Sequence, residues 1–305
     1  MRVLAALFRH PSGRIGAVII ALYLVAAVLG AVGITPHNAL KQFSIDRLKP
    51  PNLNYLMGTD LLGRDTLSRL MLGIGQSFVV AFASVACATL AGTIIGLLAA
   101  WWGSLWDGVL MRVMDVLLAF PAILLALLII AIVGPGTFTS VAAIAIVYTP
   151  IFARVARAAT LSVRVEPFVQ VSRTMGTGHL YMLVRHILPN ITGPLIVQTS
   201  LSLAFAILSE AALSFLGLGI QPPQPSLGRM IFDSQGFVTL AWWMAVFPGA
   251  AIVVAVLAFN LFGDGLRDVL DPKQRTMIEA RRRAGADIGG RRRAGADIGG
   301  RRRSG

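Results

Sequence analysis

The chain has 305 residues, 56% of them hydrophobic and only 13% charged, with a formal net charge of +13 and a mean hydropathy of +0.74. A soluble domain carries about 25% charged residues, so this composition excludes an ordinary water-soluble globule and makes the bilayer the solvent to reason with. A basic balance also suggests nucleic acid, but the cations flank apolar blocks without an aromatic–basic platform, and no nucleic-acid partner is expected.

Six segments can cross a bilayer at about 20 apolar residues each: 15–34, 77–101, 113–133, 138–155, 191–213 and 240–262. Each must be helical, because lipid leaves backbone groups no other partner and the alternation of a barrel is absent. The expected fold is all-α, a polytopic membrane protein with six transmembrane helices. With the N-terminus inside, Lys and Arg divide twenty-one to six in favour of the inner side, which places both termini in the cytoplasm. The resulting organisation is a cytoplasmic start (1–14), a first span (15–34), an extracytoplasmic segment (35–76), a five-helix core (77–266) with a cytoplasmic loop inside it (161–190), and a basic cytoplasmic tail (267–305).

The first span follows Arg2, Arg9 and Arg14, and its apolar run is about twice a normal signal h-region; it reads as an uncleaved signal-anchor. The second carries Ser84, Ala88, Gly92, Gly96 and Ala100 in one stripe, the spacing that lets another helix approach closely. Cys87 lies in the same block; as the single cysteine it excludes an intrachain disulfide and reads as packing. Glu210 lies about 27 Å along the fifth span from Thr192 at 1.5 Å per residue, near the outer edge of the hydrocarbon. It is the candidate for an interfacial or outer-gate residue. In the loop 217–240, Pro222, Pro223 and Pro225 stiffen the backbone, as a docking face or a plain connector.

No segment supplies catalytic chemistry. None of Lys41, Lys49 and Lys273 follows a glycine as a phosphate loop requires, and the Gly217–Gly219 stretch runs into Gln221-Pro222-Pro223. His10, His37, His179 and His186 are too scattered for a metal site. No catalytic residue, metal or cofactor of this chain's own is expected.

The polar insert EPFVQVSRTMGTGHLYMLVRHILPN, residues 166–190, falls between two spans on the cytoplasmic side. Pro167 suits a first helical turn and Gly176 a helix stop, with Phe168, Val171 and Met175 at helical spacing between them. Leu180, Leu183, Val184 and Ile187 form a second short amphipathic run ending at Pro189. Two short helices held between spans make a rigid knob, fit for a groove on a partner protein; the alternative is a helix resting on lipid headgroups.

This insert resembles the EAA loop of ATP-binding-cassette importer permeases: Gln170-Val171-Ser172 stand at the E-A-A positions, Gly176 is the glycine, His186 takes an apolar position, and Leu188-Pro189 close the pattern. MGTDLLGRDTLSRL from Met57, MDVLLAFPAILLALLI from Met114, EAALSFLGLGIQPPQPSLG from Glu210 and LAFNLFGDGLRDVLDP from Leu257 are similar to the C-type permease subunit of dipeptide and oligopeptide importers. The resemblance implies a type I importer permease of the bacterial plasma membrane. It would pair with a sibling permease, two cytoplasmic ATPase domains and an extracytoplasmic substrate-binding lipoprotein, with ATP and Mg on the ATPase subunits. Glu166, Gln170, Val171, Ser172, Arg173, Gly176, Leu188 and Pro189 become the ATPase-coupling residues, and the pathway-lining residues stay unassigned. Relatives of this architecture also carry nickel complexes or haem. A self-sufficient secondary carrier would need midplane charges, and an intramembrane enzyme a catalytic pair. The tail repeats RRRAGADIGG from Arg281 and Arg291, too polar to fold alone; its arginine triplets suit anionic membrane lipids.

Overall fold

The computed structural model describes residues 10–270; Arg2, Arg9 and the arginine repeats lie outside the described residues. The described part is a helical bundle. Its elements are α1 (Pro11–Val32), α2 (Thr66–Trp102), α3 (Ser104–Ala119), α4 (Ala122–Val133), α5 (Thr137–Arg164), α6 (Pro167–Thr174), α7 (His179–Phe215), α8 (Leu227–Ser234) and α9 (Trp243–Leu270). α1, α2, α5, α7 and α9 are each long and apolar enough to cross a membrane.

The expected third span is not straight. α3 and α4 meet at a 94° bend. Pro121 explains the break: the residue before a proline is driven out of the helical region, and Phe120 sits at φ −86°, ψ 138°. At 1.5 Å per residue α4 alone covers about 18 Å, short of the roughly 30 Å hydrocarbon core, so the bent pair makes the sixth crossing only as a unit.

The centre of the bundle is the α2–α5 contact, and the small-residue stripe creates it. A Cβ at Gly92 would lie 2.6 Å from the Thr149 carbonyl oxygen, and one at Gly96 2.7 Å from the Ala156 Cβ. Ser84, Ala88 and Ala100 are buried along the same line, so the stripe serves packing within the chain. α1 lies against α9 and α2. The Tyr23 hydroxyl donates to the Ala251 carbonyl at 3.0 Å, and a Cβ at Gly16 would meet the Ala258 carbonyl at 2.6 Å. Across the outer faces Leu22, Val25, Val28, Leu90, Val109, Ile132 and Val253 stay exposed, the composition of a lipid-facing surface.

The helices are capped at one end by the segment that precedes α2. The Asp65 carboxylate accepts from the Ser68 backbone N–H at 2.9 Å and starts α2 at Thr66, so residues 66–76 are already helical. Before it, Ser44–Asp46 form a single 3-10 turn and Thr59 bridges Asp65. The Trp243 indole N–H donates to the Thr59 carbonyl at 3.1 Å, with Met244, Leu48, Leu61 and Phe247 packed around it. The cap is thus anchored to α9 by a buried aromatic whose polar edge is satisfied.

Candidate functional site

At the opposite end, α6 and the start of α7 form a knob. Pro167 stands in the first turn of α6, where its missing N–H costs nothing. The helix ends in a Schellman motif: Gly176 N–H donates to the Arg173 carbonyl at 3.0 Å and Thr177 N–H to the Ser172 carbonyl at 3.2 Å. Gly176 has φ +78°, a left-handed conformation that costs other residues about 1–2 kcal/mol. A Cβ there would meet nothing within 4 Å, so the glycine answers to backbone geometry alone.

Pro189 does not end a second short helix, as the insert's pattern predicts. α7 runs unbroken from His179 through Pro189 to Phe215. A proline inside a helix removes one backbone donor and crowds the carbonyl four residues earlier; here the preceding turn, Met182–Ile187, widens into a π-helix, which relieves both. The knob is therefore one short helix plus the projecting first turns of a membrane-length helix.

Its inner face is fixed. Val169, Met182 and Ile187 are fully buried and join the main core. The Trp101 indole N–H donates to His179 Nδ1 at 3.1 Å, and the Arg173 guanidinium lies over the Trp101 ring at 5.2 Å. Arg164 donates to the Ala100 carbonyl at 2.7 Å. The end of α2 is thus pinned to both sides of the knob. On the outer face Phe168, Val171, Met175, Leu180, Tyr181 and Val184 are exposed. The predicted stripe of Phe168, Val171 and Met175 therefore faces away from the bundle, while Val169 is the inward contact.

The remaining site candidates divide by position. Glu166 is the N-cap of α6 but makes no side-chain capping bond. Gln170 and Arg173 are exposed, and Ser172 is half-buried with its hydroxyl donating to the Phe168 carbonyl at 2.8 Å. Leu188 packs against the core from the α7 side and Pro189 is exposed. His186, at a position the loop pattern reserves for an apolar residue, lies between the rings of Phe168 and Tyr181, at 6.4 and 5.7 Å. Its ring substitutes for apolar bulk.

Glu210 lies far from the knob and is completely buried. The Ser214 hydroxyl donates to Glu210 Oε1 at 2.6 Å and accepts from Ile220 N–H at 3.3 Å. A fully enclosed carboxylate does not line an opening in this conformation. Its contacts tie α7 to the following loop instead, because the turn at Gly217 folds that loop back over the helix end.

Sequence reasoning missed a groove between α2 and α7. It has a volume of about 460 Å³ and is lined by Thr89, Thr93, Thr192 and Thr199 among Leu and Ile side chains; Thr89 and Thr199 hydroxyls face each other at 3.5 Å. Thr89 and Thr93 are one turn apart, and Thr192 and Thr199 are two turns apart on α7. That periodicity is the signal, but scattered threonines in apolar blocks do not stand out until two helices align them.

The family model described as "Binding-protein-dependent transport system inner membrane component" matches residues 92–276. The chain belongs to that family. Relatives extend the match over nearly the whole permease. The di/tripeptide transport system permease protein DppC of Pseudomonas aeruginosa is 43% identical, covering 87% of this chain and 90% of its own. The dipeptide transport system permease protein DppC of Alkalihalophilus pseudofirmus is 41% identical over 86% of each. The glutathione transport system permease protein GsiD of Pectobacterium atrosepticum is 41% identical over 84% of this chain and 85% of its own. Among solved structures, the inward-facing MetNI methionine ABC transporter shares the fold with a TM-score of 0.54 at 17% identity, covering 67% of this permease and 96% of that chain. The expected type I permease fold and the family resemblance are both borne out.

Proposed function

We propose that this permease, with a sibling permease, encloses the membrane pathway of an importer for short peptides, and that its knob couples the pathway to ATPase subunits. The observation that carries the coupling is the two-sidedness of 166–190: one face locked to the end of α2 through Trp101, the other a free apolar surface. An amphipathic helix of this kind suits a groove on a partner protein. Its rigid footing would turn displacement of that partner into motion of α2 and α7, the helices that flank the threonine groove.

That groove is our candidate for the pathway face. Its hydroxyls give peptide groups exchangeable hydrogen-bond partners without a deep charge trap, and no charged residue among the described residues lines it. The absence of charge there disfavours a self-sufficient ion-coupled carrier. Both termini in the cytoplasm, a substrate-binding lipoprotein at the capped end and lipid contact along the bundle complete the arrangement. Hydrolysis of ATP, with Mg, belongs to the partner subunits. The names of the relatives, which refer to dipeptides, di/tripeptides and glutathione, support a peptide cargo over nickel complexes or haem.

The test is reconstitution with the cognate sibling, ATPases and binding protein in proteoliposomes. Wild type should take up labelled dialanine only with ATP inside the ATPase compartment. Val171→Asp should assemble yet lose uptake. Uptake without nucleotide, or full uptake by Val171→Asp, would overturn the coupling assignment.

A further inference from the structure

The capped end of the bundle holds an ionic cluster that coupling does not use. Arg69, in the first turns of α2, is 3% exposed. Its guanidinium approaches Asp60 only to 3.4 Å and Asp233 only to 3.7 Å, beyond the roughly 2.7–2.9 Å of a charge-assisted hydrogen bond. Arg69 Nη1 is buried with no hydrogen-bond partner among the described residues, and so is the Thr66 hydroxyl. Both residues line one narrow cleft of about 10 Å³, with space for a single oxygen atom, together with Asp60, Asp233, Met230 and Met244.

The two nearby carboxylates are already engaged by other cations. Arg64 Nε donates to Asp60 at 2.7 Å and Arg229 Nε to Asp233 at 3.0 Å. The cleft shares Arg69, Asp60, Asp233 and Met244 with a cavity of about 240 Å³ that adds Arg64 and Arg229 and is walled by Pro222 and Pro223. Its charged lining is three guanidinium groups against two carboxylates, a surplus of one positive charge centred on Arg69. A buried guanidinium with unmade hydrogen bonds is costly unless an anion completes it.

We propose that this cleft and cavity form a carboxylate-binding site at the outer mouth, with Arg69 and Thr66 as its anchors. The planar guanidinium fork matches a carboxylate's two oxygens, and a hydroxyl beside it adds a third donor. A single surplus charge matches a monoanion; a dianionic phosphate would be repelled by Asp60 and Asp233. The cavity is smaller than the roughly 300–1,000 Å³ of sites that enclose a whole ligand, so it takes the carboxylate end of a larger group. That group is either a short peptide's free terminus or an acidic side chain of a docking protein. The outward location rests on the topology proposed above; the binding chemistry does not.

The experiment uses the full chain purified with its partner subunits in nanodiscs and follows thermal unfolding at constant ionic strength. Sodium acetate should give a saturable upward shift that acetamide and sodium chloride do not. Arg69→Met should raise the half-saturating acetate concentration at least about tenfold, the scale of a lost charge-assisted hydrogen bond, and Thr66→Val by a smaller factor. A response to dialanine that is lost in dialanine amide assigns the carboxylate to the cargo; a response to acetate alone assigns it to a protein side chain. Equal shifts with acetate, acetamide and chloride, or no shift at all, would overturn the site. The wild-type contrast decides this even if a variant fails to assemble, and ATP-driven uptake measured in parallel keeps failure of the transport reading separate.

Discussion

The Trp101 indole N–H donates to His179 Nδ1 at 3.1 Å, joining the last turn of one membrane-length helix to the first turn of another. The bond also fixes the ring over which Arg173 rests. Three residues from separate elements thus make the knob continuous with the bundle, and displacement of α6 can reach α2 directly.

Trp101→Phe keeps an aromatic ring under Arg173 but removes the N–H donor. A neutral hydrogen bond contributes about 1 kcal/mol, so the subunit should assemble normally. Uptake per ATP hydrolysed should fall several-fold; comparing transport and hydrolysis rates in the same proteoliposomes reads that ratio.

At Gly176 the two substitutions separate geometry from space. Gly176→Ala should cost about 1 kcal/mol, because the left-handed backbone is strained for any Cβ although room exists for one. Gly176→Pro should abolish transport while the complex stays in the membrane, since proline fixes φ near −65° against the observed +78°. Uptake by the proline variant at the wild-type rate would count against a rigid knob.

Gly92→Val should destabilise the bundle by about 1–3 kcal/mol through overpacking, because its Cβ would stand 2.6 Å from the Thr149 carbonyl oxygen. Gly108→Ala is the matched control: α3 leaves nothing within 4 Å of that position, and exchanging a helical glycine for alanine stabilises by about 0.5–1 kcal/mol. Detergent-solubilised thermal stability should move in opposite directions for the two.

Asp107 accepts both Arg157 Nε and Nη2, at 2.5 and 2.6 Å, bracing α3 against α5. The pair is 27% and 34% exposed, so solvent screening keeps its coupling to about 1 kcal/mol despite the bidentate geometry. A double-mutant cycle with Asp107→Asn and Arg157→Gln should return that value. The charge-swapped double variant should recover part of the loss.

In the cap, hydrogen bonds from Lys49 and then Tyr55 hold the Asp46 carboxyl below its ordinary value of 3.8. A folded-state value lower than the unfolded one stabilises fully above 3.8, and that contribution is lost as pH falls through the folded value. Amide protection in 44–59 should therefore be constant from neutral pH down to about 4.5 and decline only below the ordinary carboxylate range. Asp46→Asn should remove that acid-side decline.

The amino-acid sequence alone determined the solvent, the number of apolar blocks and the location of the knob. Those properties are local: about 20 apolar residues must be helical in lipid, and a glycine after an amphipathic turn stops a helix whatever surrounds it. Ser84 to Ala100 was legible as a contact stripe for the same reason, although its partner α5 was not. Only the tertiary structure decided that Pro121 bends a span by 94°, that Pro189 is absorbed by a π-turn, that Glu210 is enclosed, and that Val169 points inward while Val171 points out. The bend and the π-turn form within a few residues of their prolines, as two different answers to the same residue type. The inward place of Val169 depends instead on packing against other elements of the core. The threonine groove and the Arg69 cleft belong to this second class: each arises where side chains from separate elements converge, and no local pattern records that convergence.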